Sequence, residues 1–307
     1  MIFKKILLLP HIFVHNANAL SSPFTIGFPA MTAWLGATHA LQRRLQEKGA
    51  DISCISTAVV SHQFDLQTYR GENDYVSSII GTGNPLDKLG NRSSFIEEAR
   101  CHLDVSLLIE VEGVSQEQEE GFLEQVTHCL NAKMKIAGGD IQSFKTPTIH
   151  VLEQNNVADL KRLTRKIMPG YVLVERRDLM AEAMAQGQDA MDAMIDYLAI
   201  HHSSTQSDDG IVSWAAHRKS QQDKPAGWIV PIATGFQGIS DLGQARNQRD
   251  PDAPHRFAES LVTLGEFKMP HRFHSIDDML WCYHVDTQNN LYQCIPVTNN
   301  KQSDEYI

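Results

Sequence analysis

Apolar residues run almost unbroken from Ile6 to Val14, about the length of a buried strand, and predict a strand over Ile6–His15. A turn-rich stretch, Asn16–Gly27, follows. From Pro29 the period changes. Met31, Trp34, Leu35, Thr38, Leu41 and Leu45 recur at helical spacing, with Arg43, Arg44 and Lys48 elsewhere on the helix. Pro29 suits a first helical position and Gly49 a stop. Ile52–Leu66 reads as a second strand. Leu103, Val105, Leu107, Ile109 and Val111 alternate, the clearest strand signal in the chain. Glu117–Lys133 reads as an acidic amphipathic helix, and Lys135–Phe144, which carries Gly138-Gly139, as another strand. Between the second and third strands, Gly71–Ser94 is rich in Gly, Asn, Asp and Ser and too long for a tight turn.

The order strand, helix, strand, long loop, strand, helix, strand is that of a ferredoxin-like or RNA-recognition-motif core in an α+β fold. It predicts a core over residues 1–153 with an insertion near 71–94, a helical insertion over 154–225, and a C-terminal part, 226–307, packing back on the core. Within the insertion, Val157–Met168 and Asp178–Leu198 read as helices. Met180, Met184, Met191 and Met194 on the second form a stripe suited to core or partner packing. His201–Lys224 is polar and reads as a flexible loop. Ile229–Ile232 resumes strand character, His255–Leu264 reads as a short helix, and the remainder shows no regular pattern.

Charge narrows the picture. Among 307 residues, 27 are Lys or Arg and 37 are Asp or Glu, a net charge of −10. A free-standing nucleic-acid binder draws affinity from cations that neutralise phosphates, so any grip on RNA here must be local and shared with partners. Five cysteines without a repeated spacing argue against a disulfide framework and a zinc ribbon, and for a reducing cytoplasm. Met1–Ala19 imitates a secretory signal: Lys4 and Lys5 precede an apolar run, and Ala17-Asn18-Ala19 resembles a cleavage site. Pro10, His11 and His15 interrupt that run and favour the strand. No later apolar stretch approaches the ~18 residues that span a membrane.

Catalytic templates are absent: no G-x-S-x-G, no H-E-x-x-H, no P-loop ending in Gly-Lys-Ser/Thr. Gly81-Thr82-Gly83 lacks a third glycine. His271, His274 and His284 lack further ligands at zinc spacing, so no metal or other cofactor is expected. A metal-free ribonuclease would draw on His11, His15, Tyr69 and Lys88, residues of the right type that no spacing singles out. Asn16–Pro29 differs in kind. It offers Asn16, Asn18, Ser21, Ser22 and Thr25 as uncharged hydrogen-bonding groups, with Gly27 and small alanines allowing close approach. These suit base-edge and ribose recognition of single-stranded RNA, and equally a well-capped structural loop. Arg246, Arg249 and Arg256, and separately His271 with Arg272, are candidate phosphate or base contacts; intramolecular pairing with Asp250, Asp252 and Glu259 is the alternative. The basic run Lys161–Lys166 reads as a solvated face or a contact to phosphate or an acidic partner.

A colinear set of motifs then carries a resemblance. It comprises Leu7-Leu8-Leu9-Pro10, Asn16-Ala17-Asn18-Ala19-Leu20-Ser21-Ser22-Pro23, Gly27-Phe28-Pro29, His39-Ala40-Leu41-Gln42-Arg43 and Asn84-Pro85-Leu86. Glu97-Glu98-Ala99-Arg100, His102–Leu108, Ala137-Gly138-Gly139, Arg162-Leu163-Thr164-Arg165 and Met168-Pro169-Gly170 continue it. Gly227–Pro231, Arg256-Phe257, Leu264-Gly265-Glu266 and Pro270-His271-Arg272 complete it. Together these resemble the Csy-two family, Cas-five-type RAMP subunits of the type I-F CRISPR surveillance (Csy, or Cascade) complex of antiviral defence.

The resemblance implies a ferredoxin-like RAMP core whose thumb is Gly71–Ser94. It implies binding of the CRISPR RNA 5′ handle together with the large Csy-one subunit, contact with the first backbone Csy-three subunit, and engagement of target double-stranded DNA only through the assembled complex. It implies a cytoplasmic ribonucleoprotein component, neither membrane-bound nor an enzyme. Gly138-Gly139 would match the family's glycine-rich loop, where backbone approaches RNA. The neutral segment Ile79-Ile80-Gly81-Thr82-Gly83 departs from the family, which has a basic residue there. The alternatives are a repeat-RNA-cleaving endoribonuclease of the Cas-five type and a protein-only scaffold.

Overall fold

The computed structural model describes residues 3–80, 86–92, 98–132, 134–154, 156–219, 227–248 and 250–304. Strand β1 (Phe3–Asn18) is followed by the short β2 (Leu20–Ser22) and β3 (Thr25–Ile26), helix α1 (Met31–Gln46) and β4 (Ser53–Leu66). Then come β5 (Thr68–Tyr69), β6 (Ser78–Ile79), β7 (Arg100–Glu112), α2 (Glu119–Ala132), β8 (Lys135–Ile136), β9 (Gly139–Ser143) and β10 (Thr148–Glu153). The second half holds α3 (Val157–Lys166), β11 (Tyr171–Glu175), α4 (Arg177–Ala185), α5 (Ala190–Leu198), β12 (His201–Gln206) and β13 (Val212–His217). It ends with β14 (Trp228–Gly238), β15 (Ala258–Lys268), β16 (Trp281–Asp286), β17 (Leu291–Pro296) and α6 (Val297–Asp304). The fold is α+β.

β1 is the central strand of the N-terminal half. It pairs antiparallel with β7 on one side, and on the other with β10 along its first part and β9 along its last. β7 in turn pairs antiparallel with β4. The apolar run of β1 serves two layers, because alternate side chains leave opposite faces. Leu7, Leu9, Ile12 and Val14 pack toward α1 and α2, while Ile6 and Leu8 pack toward α3 and the segment Phe273–Leu280. The run that imitates a secretory signal is therefore the middle of the sheet.

Two bulges in β1 shape its exposed side. The register with β7 slips between Leu9 and Ile12 and again between Val14 and Ala17. At these slips His11 and Asn16 take positive φ, 48° and 58°. Each slip absorbs one extra residue and restores the inward parity of Ile12, Val14 and Ala17.

The C-terminal strands run β11-β15-β14-β17-β16 and rejoin β4 at both ends. Trp281 of β16 sits opposite Thr57, and Tyr171 and Val172 of β11 sit opposite Ser61 and Val60. This half covers the outer side of α1. Trp34 on α1 is fully buried, stacks on Phe28 at 5.2 Å, and donates its indole N–H to the Pro29 carbonyl. Phe28 in turn meets the edge of Phe267 on β15, and the Trp281 indole donates to the Leu173 carbonyl. One core thus draws residues from Leu7 to Cys294. α4 and α5 form a smaller cluster with Ile229 and Leu264.

Several expectations are corrected. α1 begins at Met31, with Pro29 spent on the Trp34 bond. Asp178–Leu198 is two helices broken at Gly187, whose φ is +97°. His201–Lys224 contains the paired strands β12 and β13; every position on both is exposed, so no alternation marked them. His255–Leu264 is not helical, because Ala258–Lys268 is the ladder partner of β14, and tertiary pairing overrides local helix propensity there. The supposedly irregular end holds β16, β17 and α6. Within residues 71–94 lies β6, which pairs with β5 just before them, but Gly81-Thr82-Gly83 and Asn84-Pro85 lie outside the described residues. Among the described residues, no helix is long and apolar enough to cross a membrane.

Candidate nucleic-acid interface

The second bulge of β1 gathers a polar strip. With Asn16 in the left-handed region, its backbone N–H turns out of the ladder and donates to Nδ1 of His102 on β7, 3.2 Å away. Gln67, just past β4, donates to the Asn16 Oδ1 at 3.1 Å and lies 3.2 Å from His102 Nε2. His15 stacks on His102 with ring centroids 4.5 Å apart. Next along, the Asn18 backbone N–H donates to the carbonyl of Ala137, in the two-residue turn between β8 and β9. Lys135 and Asp140 flank that turn in a 2.9 Å ion pair, and the Lys135 ammonium holds the Asp140 carboxyl below the usual carboxylate range. Asn16, Asn18 and Gly138 are all exposed. The strip can offer amide, imidazole and ammonium donors to a polyanion while Asn16 keeps its own N–H satisfied.

The rest of the Asn16–Pro29 segment is spent on its own structure. Ser22 and Thr25 are buried, their hydroxyls 2.7 Å apart. The Ser21 hydroxyl donates to the Thr25 carbonyl, the Ser22 hydroxyl accepts from the Phe24 N–H, and the Gly27 N–H donates to the Ala19 carbonyl. Asn18 accepts from the Leu20 N–H and donates back to its carbonyl. The result is a tight β2–β3 hairpin with Phe24, 71% exposed, at its tip. Of the five polar side chains expected at RNA, Ser22 and Thr25 are the two turned inward.

The glycine pair divides. Ala137 and Gly138 both have positive φ, 49° and 75°, as a type I′ hairpin turn requires, and a Cβ on Gly138 would meet nothing within 4 Å. Gly139 is buried. A Cβ there would lie 2.7 Å from Val14 Cγ1 and 2.8 Å from the Ala17 backbone, so what approaches closely is β1.

Arg246 and Arg256 differ in their surroundings. Arg246 is exposed in a turn and Arg249 lies outside the described residues. Arg256 is partly buried: its guanidinium donates to Asn290 Oδ1, and it fills the space beside Gly238. His271 and Arg272 are exposed on a short 3-10 turn, Pro270–Arg272.

The nuclease candidates do not converge. His11 hydrogen-bonds to Asp104 and stacks on His62 at 4.1 Å. The Ser106 hydroxyl, fully buried, lies 2.7 Å from His62 Nε2 and accepts the His11 backbone N–H, while His62 Nδ1 donates to the Pro169 carbonyl. Burial lowers the His62 pKa, with the His11 charge adding to it. Among the described residues, no hydrogen bond or ion pair joins this group to Tyr69 or Lys88. His11, His62 and Asp104 are ligand types within 4.8 Å of one another, but the imidazoles lie only 19° from parallel. Their nitrogen lone pairs point along planes that do not meet at one ion, so this geometry fits a proton network better than a metal.

Gln67 was missed in the sequence, and His102 entered only as part of the matched run His102–Leu108, not as a site residue. They lie 51 and 86 positions from Asn16, and no local pattern links them.

Comparison with known proteins adds an independent finding. Residues 7–294 match the family model described as CRISPR-associated protein (Cas_Csy2). A protein of Pseudomonas aeruginosa (strain UCBPP-PA14), described as CRISPR-associated protein Csy2, is 34% identical over 317 residues, covering 94% of each chain.

Proposed function

Because this chain belongs to the Csy2 family of CRISPR-associated proteins, we propose that it is a non-catalytic, RNA-binding subunit of the type I-F CRISPR effector. In this reading it grips the 5′ handle of the CRISPR RNA with the large Csy-one subunit, contacts the backbone Csy-three subunit, and meets target DNA in the assembled cytoplasmic complex. The observation that carries the reading is the exposed strip where Asn16, Asn18, Gln67, His102 and the Ala137-Gly138 turn come together. Uncharged donors, a stacked imidazole pair and an open turn suit splayed bases and ribose hydroxyls. They carry little positive charge, so the remaining phosphate neutralisation falls to partners.

The reading includes a ferredoxin-like RAMP core over residues 1–153. Support comes from the order β1-α1-β4-β7-α2-β9 in sequence and β4-β7-β1-β9 in space. Residues 154–225 would be the insertion and 226–307 the part that packs back, in keeping with a core that draws on Trp281 and Cys294. Asn16, Asn18 and Gly138 are the sequence-derived residues placed against RNA, with Gln67 and His102 added.

The test is co-expression with the large subunit and measurement of retained handle RNA. Asn16→Ala with Asn18→Ala should weaken retention about tenfold, the equivalent of ~1.4 kcal/mol for two lost hydrogen bonds. Unchanged retention sinks the site. Incubation of the chain alone with repeat RNA separates the nuclease reading, since cleavage lost with one histidine would favour it. Assembly indifferent to RNA removal would favour a protein-only scaffold.

A further inference from the structure

A cavity of about 1040 Å³ opens beside β11 and β15, between α4 and the Pro270–Arg272 turn, and the handle strip does not use it. Its aromatic wall is Trp228, 52% exposed, held edge-on by Tyr171 at 5.4 Å and tilted against Phe267 at 5.1 Å. A half-bare indole fixed by two other rings costs little conformational entropy to cover.

The cations of this cavity fall into two sets. Arg176 is paired with Asp178 and Glu266, Arg177 with Glu175, and Lys219 with Asp196. Lys268 and Arg272 line the same cavity and form no ion pair with a carboxylate among the described residues; Lys268 rests over the Phe273 ring at 5.1 Å. Two cations outside any ion pair thus face the same cavity as the bare indole, with the exposed Asp278 carboxylate also on its rim. Cations of this kind suit a phosphodiester, and an exposed flat ring suits a base.

We propose that this cavity is a second nucleic-acid site, which takes one or two nucleotides of a single strand with a base against Trp228 and the backbone phosphate between Lys268 and Arg272. It is separate from the handle strip and does not depend on it. RNA and DNA share the required chemistry of a π-face and a phosphodiester, so the source is left to the experiment.

Tryptophan fluorescence of the full chain tests this. Trp34 and Trp281 are buried, whereas Trp214 is 74% exposed on β13, so Trp214→Phe leaves Trp228 as the accessible emitter. Titration of that background with r(U)8 and d(T)8 should quench emission, and added salt should reverse the quench. Lys268→Glu with Arg272→Glu should raise the Kd at least tenfold. The milder Arg272→Gln should raise it severalfold, and it guards against loss of fold in the double variant. Trp228→Phe should keep binding, measured by anisotropy of labelled r(U)8, whereas Trp228→Ala should lose it. Asn16→Ala with Asn18→Ala should leave the quench unchanged even where handle retention fails, so the two sites fall separately. Tighter r(U)8 assigns the site to RNA; equal binding assigns it to single strands of either kind. Absence of quench, an unchanged Kd in both charge variants, or quench by an octaglutamate peptide in place of the oligonucleotides would overturn the proposal.

Discussion

The backbone N–H of Asn16 donates to Nδ1 of His102 at 3.2 Å, joining residues 86 positions apart in the chain. The bond exists because Asn16 occupies the left-handed region at φ 58°, where the bulge turns its N–H out of the ladder. Asn tolerates that conformation better than most residues. Asn16→Gly should therefore fold with a stability within about 0.5 kcal/mol of the parent while losing the side-chain bond to Gln67. Asn16→Ala should cost roughly 1–2 kcal/mol through the backbone. Urea unfolding of the two variants separates strain from recognition, and weak handle retention in the glycine variant assigns the effect to the amide.

Gly138 and Gly139 should respond differently to alanine. Gly139→Ala forces a Cβ to 2.7–2.8 Å from Val14 and Ala17 on the central strand, and should destabilise by roughly 1–3 kcal/mol or more. Gly138→Ala meets open space and pays only for its positive φ, about 1 kcal/mol. Equal losses in thermal or urea melts would contradict the close packing of β9 on β1.

Lys4 links two carboxylates on one face of the sheet, with Glu110 at 2.7 Å and Asp277 at 2.9 Å, and Glu110 also accepts from Ser56. All three charged groups are largely buried. Lys4→Met leaves two like charges facing each other without a cation, and should cost roughly 3–5 kcal/mol. Lys4→Met combined with Glu110→Gln and Asp277→Asn should recover a large part of it, as a triple-mutant denaturation series would show.

His62 gives stability a pH dependence. Burial lowers its folded pKa below the ordinary imidazole value, so protons bind the unfolded chain more readily. Its contribution is fully present above pH ~6.5 and is lost as pH falls through the lower folded value. His150, lowered by burial and by Lys166 and Arg162, acts in the same direction. Unfolding free energy should fall between pH 7 and pH 5, and His62→Gln should make that slope shallower. An unchanged slope would mean that His62 is as accessible to protons when folded as when unfolded.

The strands at Ile6–His15, Ile52–Leu66 and Leu103–Val111 and the helix from Met31 were legible because each carries its own period, whereas Lys135–Phe144, read as one strand, is the β8–β9 hairpin. Ile6–Val14 is an almost unbroken apolar run, Leu103, Val105, Leu107, Ile109 and Val111 recur at every second position, and Met31–Leu45 repeats at helical spacing. Periodicity of that kind is local, and it also set the fold class. Tertiary structure decided the rest. β15 reads as a helix until β14 supplies its hydrogen-bonding partner, and β12 and β13 carry no signal because neither face is buried. Gly139 resembled a place for RNA to approach, and only the position of Val14 and Ala17 shows that β1 fills it. The strip at Asn16 depends on His102 and Gln67, which a bulge and two cross-strand registers bring into reach. Contacts between residues so distant in sequence arise from sheet pairing, which local composition does not encode.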